Sequence, residues 1–421
     1  MAPRSRTRSL LALGLALTAV ALPACGQDAD GPSPFAADPA RSSADETASD
    51  LGFPVVATRN TTRTATDDPA AAAAAVARAI YSGGAAETKS RAVTLVDRRD
   101  WRVALAATAL NAAPIGAPIL FADGEGLPKP TEDALRALGP VGSDGLDGVQ
   151  VVRVGRVPRP AGLRATDIAG ADAPSLALAI DRFTAAARRR ATDAVLVVSA
   201  ERPEFALPAA AWAAKSGTPI AFVNRTSIPA PTIRQLRDHA RPTIYVLGPS
   251  SVISPAVTKQ LRRYGTVRRT GGQDPAANAV GFARFGDGAF GWDINEPGHG
   301  FLFAPQDEPL AAIAIAPLAA SGLHGPLLLL DDPDRLPEAV RGYLLDVQPG
   351  IPGDPVRGVY NRGWLVGATT SISPTVQSQL DALLEISQVS TRADRDPAPA
   401  ATTPAPTATT GTTSTAPTPP R

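Results

Sequence analysis

Apolar and polar positions recur along this chain in a fixed order. A short apolar run is followed by an alanine-rich stretch, and then by a second apolar run opened by proline. The second runs are PILFAD from Pro118, PIAFVN from Pro219 and PLLLLDD from Pro326. Self-similarity at a near-constant period, here on the order of a hundred residues, marks copies of one folding unit.

In the first copy, AVTLV from Ala92 reads as a buried strand, WRVALAATALNAA from Trp101 as a helix and PILFA as a second strand. Pro130-Thr131-Glu132 opens a further helix through Leu138, since proline suits a first helical turn. VQVVRVG from Val149 is a third strand ending at Gly155. The second copy repeats the order as AVLVVS from Ala194, FALPAAAWAAKSG, PIAFVN, PAPTIRQLRDH and TIYVLG, ending at Gly248. The third reads GFLFAP from Gly300, LAAIAIAPLAASG, PLLLLDD, PEAVRGYLLDV and GWLVG, ending at Gly367. An alanine-rich helix precedes each copy, from Asp68, Asp172 and Asp274. Strands alternating with helices predict an α/β fold of three Rossmann-like, parallel-sheet repeats.

Finer matches fix the register. Asp123, Asn224 and Asp332 each stand four residues before a Leu-Pro or Ile-Pro pair. Side chains of this type at a strand end bond nearby backbone N–H groups and set turns. Copies two and three add GPSSVISPAVTKQL and GATTSISPTVQSQL, in which Ser254 and Ser373 are expected helix N-caps followed by proline.

These residues resemble the cell-wall-binding repeat type 2 family. Asp100-Trp101-Arg102-Val103-Ala104-Leu105-Ala106-Ala107 is similar to its central segment. Pro118-Ile119-Leu120, Pro219-Ile220-Ala221 and Pro326-Leu327-Leu328 match the next, and Gly248 to Val257 and Gly367 to Val376 the last. The likeness covers about residues 53 to 388. It implies modules packed as an intramolecular pseudo-trimer that anchors a surface protein on anionic wall polymer. The sequence departs from the family at Val103, Phe205 and Leu310, where the central Asp is replaced, and in the reduced Gly pairs at Gly155, Gly248 and Gly367.

The ends of the chain place the modules. Arg4, Arg6 and Arg8 precede an apolar stretch, Leu10 to Leu22. That stretch is too short for a bilayer core of about 30 Å, which takes ~20 residues, so it reads as a signal peptide. Leu22-Pro23-Ala24-Cys25 resembles a lipoprotein lipobox, which implies cleavage before Cys25 and lipid on its sulfur. The expected layout is residues 1–24 signal peptide, 25–52 disordered tether, repeats at 53–162, 163–269 and 270–390, and a disordered Pro/Thr/Ala-rich tail at 391–421. The protein is thus expected on the outer face of the cytoplasmic membrane, reaching into the wall.

Composition narrows the chemistry. Lys plus Arg number 41 against 40 Asp plus Glu, which gives no electrostatic case for nucleic acid. His239, His299 and His324 share no metal-ligand spacing, and neither a zinc site nor a cofactor is expected. FGDGAFGWDINEPGHG from Phe285 lacks the Lys-Ser/Thr of a phosphate loop and reads as an insertion of copy three. No nucleophile elbow is present, so no catalytic residue is assigned. Ligands of parallel sheets sit beyond the strands' C-terminal ends. Arg98, Arg99, Arg102, Arg156, Arg202 and Arg225 fall there and are the candidate ligand contacts. The expected partners are an anionic wall polymer and the membrane, with the chain monomeric. A tethered solute-binding protein is the alternative.

Overall fold

The structure, a computed structural model, describes residues 55–64, 66–81, 89–124, 126–351 and 359–388. The expected signal peptide, Cys25, the tether at 25–52 and the C-terminal tail at 391–421 lie outside these residues. No helix among the described residues is long and apolar enough to cross a membrane.

The chain enters with β1 (Val55–Ala57) and β2 (Thr61–Thr64). It continues through β3 (Val93–Asp97), β4 (Ile119–Ala122), β5 (Val151–Val154) and β6 (Ala165–Ile168). These last four form one wholly parallel sheet in the order β4-β3-β5-β6. β7 (Ala194–Ser199), β8 (Ile220–Val223), β9 (Thr243–Leu247) and β10 (Thr266–Thr270) repeat it as β8-β7-β9-β10. A hairpin of β11 (Gly286–Asp287) and β12 (Phe290–Gly291) follows, then β13 (Gly300–Pro305) and β14 (Leu327–Leu330). β15 (Gly350–Ile351) pairs with β17 (Ser387–Gln388) on either side of β16 (Arg362–Val366) in sequence. The third sheet runs β14-β13-β16-β2-β1, so its fourth strand comes from the opposite end of the chain.

The first two sheets therefore have one strand more than the sequence pattern predicts, and the third has two. The fourth strand of each precedes an alanine-rich helix and completes the sheet of the module before it. β6 completes the first sheet, β10 the second and β2 the third. The three modules form a closed cycle. Even β4, β8 and β14, at one edge of each sheet, are buried on both faces, as ILFA, IAFV and LLLL show, which is the pattern of a parallel sheet covered by helices on each side.

The helices that follow the first strands meet at the centre. Trp101–Ala107, Ala209–Ser216 and Pro309–Ile315, with the 3-10 turns Thr108–Asn111 and Ala316–Ser321, pack on one another. Their facing residues are small: Ala104, Ala107, Ala210, Ala213, Ala312 and Ala316 are fully buried. Alanine has high helix propensity and no bulk, so three helices can approach one axis closely. One apolar core runs through all three modules. The outer helices start as the sequence predicts. Asp68, Asp172 and Asp274 accept from Ala70, Ser175 and Ala277 backbone N–H groups, and Ser254 and Ser373 accept from those of Val257 and Val376.

His239 follows the helix Ala230–Asp238, and its ring is buried. Its Nδ1 lies 2.8 Å from the Thr192 carbonyl and its Nε2 2.8 Å from an Asp181 carboxylate oxygen. A carbonyl and a carboxylate can only accept, so both nitrogens donate and the ring is an imidazolium. Burial opposes that charge. The bond to Asp181 and its charge outweigh burial and hold the His239 pKa above its ordinary value. Folding that raises a pKa gives stability present in full below the unfolded value of about 6.5 and lost as pH climbs through the folded one. The melting temperature should therefore fall above about pH 6.5 through this pair, and Asp181→Asn should remove that part of the fall. A melting temperature that rises with pH in that window would contradict the assignment.

Candidate functional site

The segments beyond the C-terminal ends of β3, β5, β7 and β8 carry the arginines that the sequence singles out. In the first module Arg98 follows β3 and reaches Asp123, after β4, at 2.7 Å and Asp68, the cap of the next helix inward, at 3.4 Å. Arg99 forks onto Asp97, with Nε 2.9 Å from Oδ2. Arg102 grips Asp100 through Nε and Nη2 at 2.8 and 3.1 Å. The Asp100 bond raises the Arg102 pKa. Asp97 is pushed up by partial burial and pulled further down by the Arg99 bonds, so its pKa is lowered.

In the second module Arg202 pairs with Glu204 at 2.5 Å and lies over the Phe205 ring. The Arg225 side chain donates to the Ser251 carbonyl, and its backbone N–H donates to Glu201. Arg156 is exposed and has no hydrogen-bond or ion-pair partner among the described residues. The structure thus groups Arg98, Arg99 and Arg102 at the end of the first sheet and Arg202 with Arg225 at the end of the second. Carboxylates accompany four of these five cations at their guanidinium groups.

The turn residues take three forms. Asp123 closes its turn through backbone bonds with Gly126, leaving its carboxylate to Arg98. Asn224 makes the same backbone bond to Ser227 and adds a side-chain bond to its hydroxyl at 3.0 Å. Asp332 accepts from the backbone N–H of Asp334 at 2.9 Å.

In the third module Gln306 and Asp307 follow β13 where Arg98 and Arg99 follow β3, a difference that sequence reasoning missed. A crevice of about 420 Å³ within the third module is lined by Asp274, Asp331, Glu338 and Arg335. One of about 320 Å³ between the third and first is lined by Asp67, Glu308, Thr370 and Ser371. The signal was present in PLLLLDD, whose paired acids occupy the place of Asp123 and Asn224.

A second set of arginines, also overlooked, is internal. Gly248 and Gly367 end β9 and β16 with φ of +109° and +122°, a conformation that side chains resist. Their carbonyls receive Arg269 from β10 and Arg63 from β2. Arg269 also donates to the Ile253 carbonyl at 2.8 Å and the Thr258 hydroxyl at 2.7 Å. Arg63 donates to Gln377 Oε1 at 2.8 Å and the Ala368 carbonyl at 3.0 Å. The first module has no helix after its third strand, and there Arg153 of β5 serves the Val157 and Pro158 carbonyls and Asp167 of β6. These forks, buried at Arg63 and half-buried at Arg269 and Arg153, fasten each donated fourth strand.

Three α/β modules in a cycle, sharing one helical core, define a repeat-type α/β scaffold. Residues 167–258 match the family model for Cell wall binding domain 2 (CWB2), which identifies the second module as a repeat of the type the sequence resembles. The chain is also similar to the amidase enhancer of Bacillus subtilis (strain 168), at 29% identity over 175 residues, covering 42% of this chain and 21% of that protein. Among solved structures it is similar to Cwp6 from Clostridium difficile, with a TM-score of 0.62, and Cwp8 from the same organism, with 0.58. Both are 18% identical and cover 77% and 78% of this chain. They show the shared fold. The chain spans 48% and 52% of those two structures' length, and a smaller share of the enhancer's.

Proposed function

We propose that this is a non-catalytic, exported lipoprotein that binds an anionic glycopolymer of the cell wall through its α/β modules, with lipid on Cys25 holding it at the membrane. The observation that carries the reading is the CWB2 match over residues 167–258, within a cycle of three modules of the same topology. Three sheets on one shared core favour polymer binding over the two lobes and hinge of a solute-binding protein. The ligand contacts are the arginines at the ends of the first two sheets, with Arg156 beside them. Their carboxylate partners do not forbid this. Exposed ion pairs contribute only about 0–1 kcal/mol, so a phosphate or uronate can exchange into them at small cost. Asp123, Asn224, Asp332, Ser254 and Ser373 hold the turns and helix starts around those sheet ends.

The test is retention of the purified chain on isolated wall polymer across a salt series. Retention should be strongest at low salt and decline as charges are screened over about 10 Å at 0.1 M. Arg156→Glu combined with Arg202→Glu should weaken it several-fold. Absence of retention at low salt sinks the reading. In cell fractionation, Cys25→Ser should move the protein out of the membrane fraction.

A further inference from the structure

A cleft of about 570 Å³ lies at the N-terminal ends of β2 and β16, away from the arginines beyond the strands' C-terminal ends. One wall is the segment 58–62 and the other is the segment 360–364. Glu385 and Ile386, just past the helix Pro374–Leu384, also line it. Its charges are answered from within. Arg59 pairs with Glu385 at 2.7 Å, and Asp381 beside them accepts from Thr58 and Asn60. With Arg362 as the second guanidinium, two cations meet two carboxylates among the described residues, and the cleft asks for no charged ligand. It offers aromatic and apolar surface instead. Tyr360 is 53% exposed, and Trp364 is half-buried with the His324 ring edge-on to it. Val359 and Leu323, next to Tyr360 and His324 in sequence, are also exposed. The exposed Arg362 guanidinium and the Tyr360 hydroxyl are donors beside these rings.

Rings with donors at their edges and no net charge suit an extended segment with uncharged, compact side chains and unpaired backbone carbonyls. The polyproline II helix is such a segment, with about three residues per turn and no internal hydrogen bonds. Proline-rich segments dock on aromatic-lined grooves because they are ordered before they bind. This chain carries one next to the cleft. β17 ends at Gln388, two residues past Ile386 of the lining. The sequence beyond it holds Pro397-Ala398-Pro399 and Pro404-Ala405-Pro406, with no charged residue from Pro397 to Pro420. The residues between Gln388 and Pro397 reach on the order of 30 Å at about 3.1 Å each, enough to turn back into the cleft. We propose that the proline-rich segment 397–406 docks in the cleft of its own chain, prolines against Tyr360 and Trp364 and carbonyls toward Arg362. A short tether holds it at an effective concentration of about 1 mM, so a contact of only about 0.1 mM affinity is mostly made. The docked segment covers the seam where β2 and β16 close the cycle.

The test compares two forms of the purified chain without residues 1–24. One is unaltered, and the other carries Pro397→Gly, Pro399→Gly, Pro404→Gly and Pro406→Gly. The probe is a labelled, end-blocked peptide of residues 397–406, followed by fluorescence anisotropy. It should bind the glycine form, and the unaltered chain at least about tenfold more weakly, because its own segment already fills the cleft. Binding should change little between about 0.1 and 1 M salt, since no net charge is involved. Tyr360→Ala in the glycine form alters an exposed side chain, so it should leave the melting temperature in place and weaken the peptide about fivefold or more. No peptide binding to the glycine form at millimolar concentration would overturn the proposal. So would equal binding to both forms, binding untouched by Tyr360→Ala, or equal binding of a peptide with glycine at every proline. Blocking that fades as the unaltered chain is diluted would assign the cleft to the segment of a second copy and overturn docking within one chain.

Discussion

Replacing Arg63 by alanine should destabilise the protein by about 3–5 kcal/mol, because several buried acceptors lose their donor at once, each costing roughly 1–3 kcal/mol. Arg63 is 1% exposed on β2 and bonds Gln377, Gly367 and Ala368, more than 300 residues away in sequence. Burial has already pushed its pKa down to about 10, so the charge is held against a desolvation penalty. Arg63→Met separates the two effects. It keeps most of the volume and removes the buried charge, while Gln377 Oε1 and the two carbonyls stay unanswered. Its loss should be smaller than that of Arg63→Ala. Urea unfolding of the purified variants reads both numbers. A loss under about 1 kcal/mol for Arg63→Ala would mean that β2 is held by its ladder alone. Around Arg63, Asp381 accepts from the Thr58 hydroxyl at 2.5 Å and the Asn60 backbone N–H at 2.7 Å. Asp381→Ala should weaken the same seam by less, since that carboxylate lies nearer the surface.

How much of this was legible in the sequence follows from which residues carry periodic signals. PLLLLDD and PIAFVN read as strands because their residues are buried on both faces, and burial on both faces leaves an unbroken apolar run. The fourth strands do not read so. TTRT, ATDI and TVRRT are short and polar, and the last two are only partly buried. Their place is set by partners far along the chain, which a local pattern cannot express. Arg63 and Arg269 were hidden for the same reason: an arginine in a polar tetrapeptide looks like surface until the carbonyls it serves are known. The helix starts at Asp68, Asp172, Asp274, Ser254 and Ser373 were legible because a cap and its partner lie within three residues. The candidate arginines were found by position at strand ends, but their pairing with Asp123, Asp100 and Glu204 needed coordinates. Charge also divides the modules in a way the shared framework conceals. Arginine-bearing ends in the first two modules and Asp331, Glu338 and Glu308 around the third mean that an anionic ligand meets three unequal surfaces.

The largest apolar effect is expected at the insertion of the third module. The hairpin of β11 and β12 lays Phe290 flat on Tyr245, ring centroids 3.5 Å apart, and sets it edge-on to Trp212 at 5.1 Å. Trp292 meets the same Trp212 at 5.4 Å, and Asp287 accepts from the Tyr245 hydroxyl at 2.7 Å. The hairpin thus clips β9 and the central helix of the second module to the third. Phe290→Ala should cost about 3–5 kcal/mol, the range for emptying a buried aromatic site. Trp292→Ala should cost a similar amount, also about 3–5 kcal/mol. Because both rings share Trp212, the double variant should lose measurably less than the sum, by about 0.5–3 kcal/mol of coupling. Trp292 offers an internal control. Its Nε1 is buried with no hydrogen-bond partner, so Trp292→Phe removes an orphaned donor along with some packing and should be the mildest of the set. Denaturant unfolding monitored by near-ultraviolet circular dichroism follows these rings directly. Additive losses from Phe290→Ala and Trp292→Ala would show that the hairpin packs as two independent contacts and not as one aromatic clip.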